Sequence, residues 1–208
     1  MMDFVLASHN RRKIAELEAI LRTFAPDQTK FRLLSLEDIG VTEEIAEGGA
    51  TFEENAIIKA SVPASRGYWG IADDSGLCVD ALDGEPGIWS ARYASINNFD
   101  AGLSADGNNN MLLLQKLKDV PLEQRTAKFV CVIAVCPPLG KADPITVRGE
   151  CPGIILEAPR GTEGFGYDPL FYYEPAGKTF AELTADEKNE VSHRARALTE
   201  LKEMKIIK

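Results

Sequence analysis

Short apolar runs alternate with segments of helical periodicity along this chain, which restricts it to an α/β or α+β architecture with a mixed sheet. "FVLA" (4–7) reads as a buried strand, and the helix after it is expected from about Asn10 to Phe24, where Ile14, Leu17, Leu21 and Phe24 recur at helical spacing. Thr51 and Glu54 have capping-box spacing and start a second helix expected to run to about Arg66. "YWGIA" is the next strand, with "LCVDAL" after "DDSG" as its candidate hairpin partner. A helix near 107–118 precedes the strand "AKFVCVIAVC", which stops at Pro137 and Pro138. Further strands are expected at 145–150 and 153–157, ahead of a glycine-rich segment and a C-terminal helix ending near Met204.

With 208 residues the chain is long enough to bury a large core in one or at most two domains. No apolar stretch approaches the ~18 to 20 residues of a membrane span. The N-terminus carries an acid before a very short apolar run and lacks a basic leader, so no secretory signal is expected. The four cysteines, Cys78, Cys131, Cys136 and Cys151, form no C-x-x-C pair, and no asparagine starts a glycosylation sequon. A reducing, cytoplasmic setting fits this usage. A formal charge of -9 argues against general electrostatic binding of nucleic acid. It leaves room for a small anionic ligand, because surface charges more than about 8 Å apart are largely screened.

Local basic clusters therefore matter more than the total. "SHNRRK", Ser8, His9, Asn10, Arg11, Arg12 and Lys13, stands where the first strand meets the first helix, and a helix N-terminus offers unpaired N–H groups and partial positive charge to an anion. On this segment alone, a helix cap with solvated basic side chains is the simpler account. A second cluster joins Glu47, just before the second helix, to Asn55 and Lys59, which share one helical face. A carboxylate ahead of a helix with a lysine in its second turn can flank a metal-bound phosphate; taken alone, ordinary N-terminal acids (Glu47, Glu54) and a surface lysine are the simpler account.

Two adjacent aspartates, Asp73 and Asp74, stand where the apolar strand is expected to end, with Ser75 and Gly76 expected in a tight turn. A turn explains one aspartate better than two. The pair supplies one carboxylate for a hard divalent cation and another to accept a proton. Downstream, "GTEGFGYDP" combines glycines that permit close backbone approach with the ring faces of Phe165 and Tyr167, while Gly166 and Asp168 complete the run. In "EKNEVSHRARAL", Lys188 and His193 are five apart and would not share a face of an unbroken helix. A break, with Ser192 capping the final helix, brings both to one pocket.

"LASHNRRKIAEL", "TFEENAIIKA", "ADDSGLCVDALDGEPGIWSARYA", "GFGYDPLF" and "SHRARAL", in this order and spacing, resemble the inosine/xanthosine triphosphate pyrophosphatase family over nearly the whole chain. The resemblance implies a single α/β domain over residues 1–208, with an elongated mixed central sheet flanked by helices and two lobes enclosing a cleft. It implies hydrolysis of ITP, dITP and XTP to the monophosphate and pyrophosphate by Mg²⁺-assisted attack of water at the α-phosphorus. By position, residues Ser8 to Lys13 hold the triphosphate with Lys59 and Asn55 beside them. Asp74 is the proton acceptor and a metal carboxylate, Ser75 a substrate contact, Glu47 the second metal carboxylate, with Glu43 or Glu44 as alternatives, and Asp73 a support for Lys59 or a water. Phe165, Gly166, Tyr167, Asp168, Lys188, His193 and Arg194 match the nucleoside end. A homodimer is implied; nucleic-acid and membrane partners are not.

The family's usual T-G-N opening is Ser8-His9-Asn10 here, so a hydroxyl is kept and a glycine is not. If that position needed positive φ, His9 would disturb the loop; a tolerated change is expected. A 6-oxo purine differs from adenine at the ring edge, so a site donating to the 6-oxygen, from backbone or Arg194, rejects adenine by leaving donors unpaired. Guanine shares that edge. Pyrimidine-directed hydrolysis, as in the related septum-inhibitor fold, and nucleotide binding without turnover remain as alternative readings.

Overall fold

The structure is a computed structural model that describes residues 2–24, 31–138 and 141–204. Among the described residues it contains a seven-stranded mixed sheet with helices. Strand β1 (Met2–Leu6) is followed by helix α1 (Arg11–Phe24), β2 (Phe31–Ser35), α2 (Phe52–Ser65) and β3 (Trp69–Val79). Then come α3 (Tyr93–Ile96), α4 (Ala105–Lys116), β4 (Thr126–Cys136), β5 (Ile145–Ile155), β6 (Phe171–Tyr173), β7 (Lys178–Thr179), α5 (Ala185–Val191) and α6 (His193–Glu203). The strand order is β2-β1-β3-β4-β5-β6-β7. β1 runs parallel to β2 and β3, whereas β6 is antiparallel to β5 and β7, so the sheet is mixed as expected.

The chain divides into two compact units, each with its own core. The first comprises Met1–Asp74, Cys131–Gly149 and Arg194–Lys208, and the second Ser75–Val130 and Glu150–His193. In the first, alternate strand residues Phe4, Leu6, Ile71, Cys131, Ile133 and Val135 pack with Leu17 of α1 and Ala197, Leu198 and Leu201 of α6. Successive strand side chains point to opposite faces, so Gly70, Ala72 and Cys136 face the other way, toward α2. Cys136 Sγ reaches Ser61 and the Ile57 carbonyl, and a Cβ at Gly70 would collide with the Ala60 carbonyl. Helices thus cover both faces of this part of the sheet. The second unit's core gathers Leu77, Val79, Leu113, Leu117, Phe129, Tyr167, Leu170, Phe171 and Phe180.

Several sequence expectations change. "DDSG" is not a turn, and "LCVDAL" is not a hairpin partner: β3 runs unbroken through both aspartates to Val79. Asp, Ser and Gly are turn formers in isolation, but here buried packing on both sides fixes an extended backbone. The strands expected at 145–150 and 153–157 are one strand, β5, passing through Pro152. On its β6 side β5 pairs through Ile154 and Ile155, so Pro152 lies outside that pairing. Thr51 caps α2 by accepting from the Glu54 N–H, but the Glu54 carboxylate reaches back to the Ala50 N–H instead of closing the box on Thr51. β2 has no counterpart in the sequence reading. No helix among the described residues is long and apolar enough to cross a membrane.

Candidate active site

The unbroken course of β3 explains its adjacent aspartates. The strand pleat sends Asp73 and Asp74 to opposite faces, where each meets different cations. Asp74 faces α2: its Oδ1 accepts from Lys59 Nζ at 2.7 Å, and Asn55 Nδ2 lies 3.4 Å from Oδ2. Lys59 also donates to Glu47 Oε1 at 2.9 Å, so one ammonium is shared by two carboxylates. Asn55 in turn accepts from the Gly49 N–H and ties the loop before α2 to the same group. Glu43 and Glu44 are exposed, and of the three candidate acids Glu47 is the one whose carboxylate reaches Lys59.

Burial sets the electrostatics. Lys59 is 8 % exposed and Asp74 5 %. Burial pushes the Asp74 carboxyl above its ordinary value, against the opposing pull of Lys59 and Lys13, which makes it a better proton acceptor. Burial also opposes charge on Lys59, but Asp74, Asp73 and Glu47 outweigh it and hold the ammonium protonated.

Asp73 faces α1 and α6. Its Oδ2 lies 3.6 Å from Lys13 Nζ and 3.3 Å from Arg194 Nε, and the Arg194 guanidinium also donates to Glu16 Oε2 at 2.6 Å. Asp73 therefore binds the cations of α1 and α6. Arg194, expected at the nucleoside end, is 2 % exposed within this network. Glu16 escaped the sequence reading; its one signal is its place three residues after Lys13, on the same face of α1.

In the loop before α1, Asn10 Oδ1 accepts from the Lys13 N–H and caps the helix, while Ser8 Oγ accepts from the Asn10 N–H. His9 does not adopt positive φ, and its ring Nε2 lies 3.1 Å from the Glu43 carbonyl, so a side chain is accommodated here as expected. The backbone of Arg11 and Arg12 forms the start of α1; their side chains, like those of Leu21 and Phe24, lie outside the described residues.

The second unit holds the remaining candidates, beginning with Ser75, which is half-buried and continues β3. Asp168 Oδ2 accepts from Lys188 Nζ at 2.7 Å and from the Phe165 N–H at 2.8 Å. Lys188 Nζ lies 4.9 Å above the Phe165 ring. Gly164, at φ +73°, makes this possible: any Cβ there would overlap the Asp168 carboxylate. Tyr167 is buried and its hydroxyl donates to the Ser90 carbonyl at 3.0 Å. The expected helix break is present, since Ser192 is extended between α5 and α6. It leaves His193 buried and stacked on Phe129 at 4.9 Å rather than on an exposed helix end. Lys188, Phe165 and Asp168 thus form one grouping, and Glu47, Asn55, Lys59 and Asp74 another, with Lys13, Glu16, Asp73 and Arg194 on the opposite face of β3.

Comparison with known proteins agrees with these motifs. The sequence model of the Ham1 family matches residues 4–204. A Geobacter sulfurreducens protein named dITP/XTP pyrophosphatase is 52% identical over 204 residues, covering 98% of this chain and 96% of its own. A Ham1 protein from Coxiella burnetii superposes with TM-score 0.84 at 38% identity over 98% of both chains. A Mycobacterium abscessus structure described as nucleoside-triphosphatase / dITP/XTP pyrophosphatase gives TM-score 0.75 at 42% identity, over 96% of this chain and 98% of that one. With the family's sequence model spanning almost the whole chain and relatives this similar, the chain belongs to the Ham1 family.

Proposed function

We propose that the protein hydrolyses ITP, dITP and XTP to the nucleoside monophosphate and pyrophosphate. The observation that carries this is the buried Asp74 carboxylate, made basic by burial and held against Lys59 beside a second carboxylate, Glu47. The names of the relatives support the substrate class.

The donor set fits Mg²⁺. Among the described residues no group of three or more His, Cys, Asp and Glu side chains is placed to cage a metal. Mg²⁺ does not require such a cage, because it commonly takes one or two carboxylates, keeps waters and completes its shell with substrate phosphates. Glu47 and Asp74, which converge on one ammonium, supply that pair. Bound there, Mg²⁺ supplies neutralisation of phosphate charge and polarisation of the phosphoryl oxygens. Lys13, Lys59 and the capped N-terminus of α1 bind and orient the triphosphate. A water attacks the α-phosphorus, its proton passes to Asp74, and the bond from the α-phosphorus to the bridging oxygen breaks to release pyrophosphate. Phe165 to Asp168, Lys188 and His193 handle the nucleoside. The protein acts as a cytoplasmic homodimer in this reading; light scattering at micromolar concentration checks the dimer.

The test is pyrophosphate release from ITP, XTP, dITP, GTP, ATP and dTTP, each with Mg²⁺ and with EDTA. Metal-dependent release from the first three, far above the others, is expected. A flat profile, or orthophosphate as the product, sinks the proposal. Lys13→Ala should raise KM for dITP by about 10-fold or more, the loss of one charge-assisted phosphate contact, and leave IMP affinity within about twofold. An equal loss for IMP would contradict a role at the outer phosphates.

A further inference from the structure

Three consecutive asparagines, Asn108, Asn109 and Asn110, lie inside the 12-residue helix α4. Asparagine is a poor helix former because its side chain competes for backbone groups, so such a run needs compensation from its contacts. Each has a different one. Asn108 accepts from the N–H groups of Ala101 and Leu103 and donates to Asp100. Asn109 is buried, accepts from the Ala94 N–H and donates to the carbonyls of Ser90 and Ala91. Asn110 Nδ2 donates to the Gly166 carbonyl at 2.9 Å.

One turn earlier on the same face of α4, Asp106 Oδ2 accepts from the Gly166 N–H, also at 2.9 Å. Both backbone polar groups of Gly166 are therefore held by two side chains of one helix, which fixes the residue in position and in rotation. Gly166 has φ +60° and open space where a Cβ would stand, so its own sterics select little. The clamp supplies the selection. The next residue is held from the same helix at one remove, because the Ser90 carbonyl that receives the Tyr167 hydroxyl also receives Asn109. The bond to Gly166 also sets which way the Asn110 amide faces, and its Oδ1 is buried with no hydrogen-bond partner among the described residues. What Asn110 contributes is the donor, and the unsatisfied acceptor is the cost of aiming it.

We propose that Asp106 and Asn110 are positioning residues for nucleobase recognition. By clamping Gly166 they set the orientation of its neighbours Phe165 and Asp168, and with it the affinity for the nucleoside end of the substrate, without touching substrate or phosphates. This rests on the reading of Phe165 to Asp168 as the nucleoside end.

The variants are Asp106→Ala, Asn110→Ala and Asp106→Asn, the last of which keeps an acceptor for the Gly166 N–H. Calorimetric binding of IMP and of inorganic triphosphate is measured alongside kcat and KM for dITP and the dITP to dGTP ratio of kcat/KM. Both alanine variants should weaken IMP binding and raise KM by about 10-fold, with kcat and triphosphate affinity within about twofold, because lost uniform binding appears in KM. Discrimination against dGTP should fall with them, and Asp106→Asn should recover most of the loss. IMP affinity unchanged in both alanine variants overturns the proposal. So does a parallel loss of triphosphate affinity, which marks a general structural defect, or failure of the wild-type protein to bind IMP. A wild-type protein that binds IMP but does not turn over dITP sinks the assigned reaction alone, and the clamp is then judged on IMP affinity.

Discussion

Asp74→Asn is expected to lower dITP turnover by about 10³-fold or more while moving Tm by no more than about 4 °C. The two effects separate because of where the charge sits. Asparagine keeps the shape of the side chain but removes the proposed proton acceptor and one of the two carboxylates proposed to hold the metal. The buried carboxylate is itself costly, since burial pushes its pKa up against Lys59 and Lys13. Its removal weakens the 2.7 Å bond from Lys59 to one with a neutral amide acceptor but also relieves the desolvation of the anion. Lys59 keeps Glu47 at 2.9 Å, so its ammonium is not left uncompensated. Steady-state pyrophosphate release and a thermal melt on the same preparation decide the matter. Near-normal turnover would remove Asp74 from the chemistry, and a large fall in Tm with activity lost in proportion would make it a structural ion-pair partner.

The sequence made the residue types of this site legible, but not their geometry. Thr51 announced α2 and the apolar spacing announced α1, because capping and periodicity are local properties. The strand end expected at the aspartate pair, with Ser75 and Gly76 turning after it, fails for the complementary reason. What holds Asp73 and Asp74 in an extended strand comes from far along the chain: Lys59 is 15 residues from Asp74, and Arg194 is 121 residues from Asp73. Turn propensity is weak beside two faces of packing and two sets of cations. Glu16 was invisible on the same ground, as one of two acids in α1 whose hydrogen-bond partner Arg194 is 178 residues away. The break between α5 and α6 was legible, because the five-residue spacing of Lys188 and His193 is incompatible with one face. That His193 would be buried against Phe129 followed from nothing local.

The Asp168–Lys188 pair gives the largest expected stability effect. Both side chains are nearly inaccessible, at 4% and 6%, and 2.7 Å apart. Removing one member of such a pair leaves the other buried without its counter-charge, at a cost of about 3–5 kcal/mol, which in a chain of this size lowers Tm by roughly 10 °C. Lys188→Met is expected to show this loss. Asp168→Asn should cost less, since asparagine can still accept from the Phe165 N–H and Lys188 retains the ring face of Phe165. The double variant, with both charges gone and similar volumes kept, should recover at least about 2 kcal/mol relative to the sum of the single changes, the coupling expected of residues in direct contact. Additive losses would mean that the pair is not coupled. Stability and function should then part company: the double variant is expected to melt at or above Lys188→Met yet bind IMP at least about 10-fold more weakly, because an uncharged pair removes the unbalanced charge but does not restore the charge-assisted bonds that orient the Phe165 loop. Full IMP affinity in that variant would make the pair purely structural and shift nucleobase recognition to the rings and backbone of Phe165 to Tyr167.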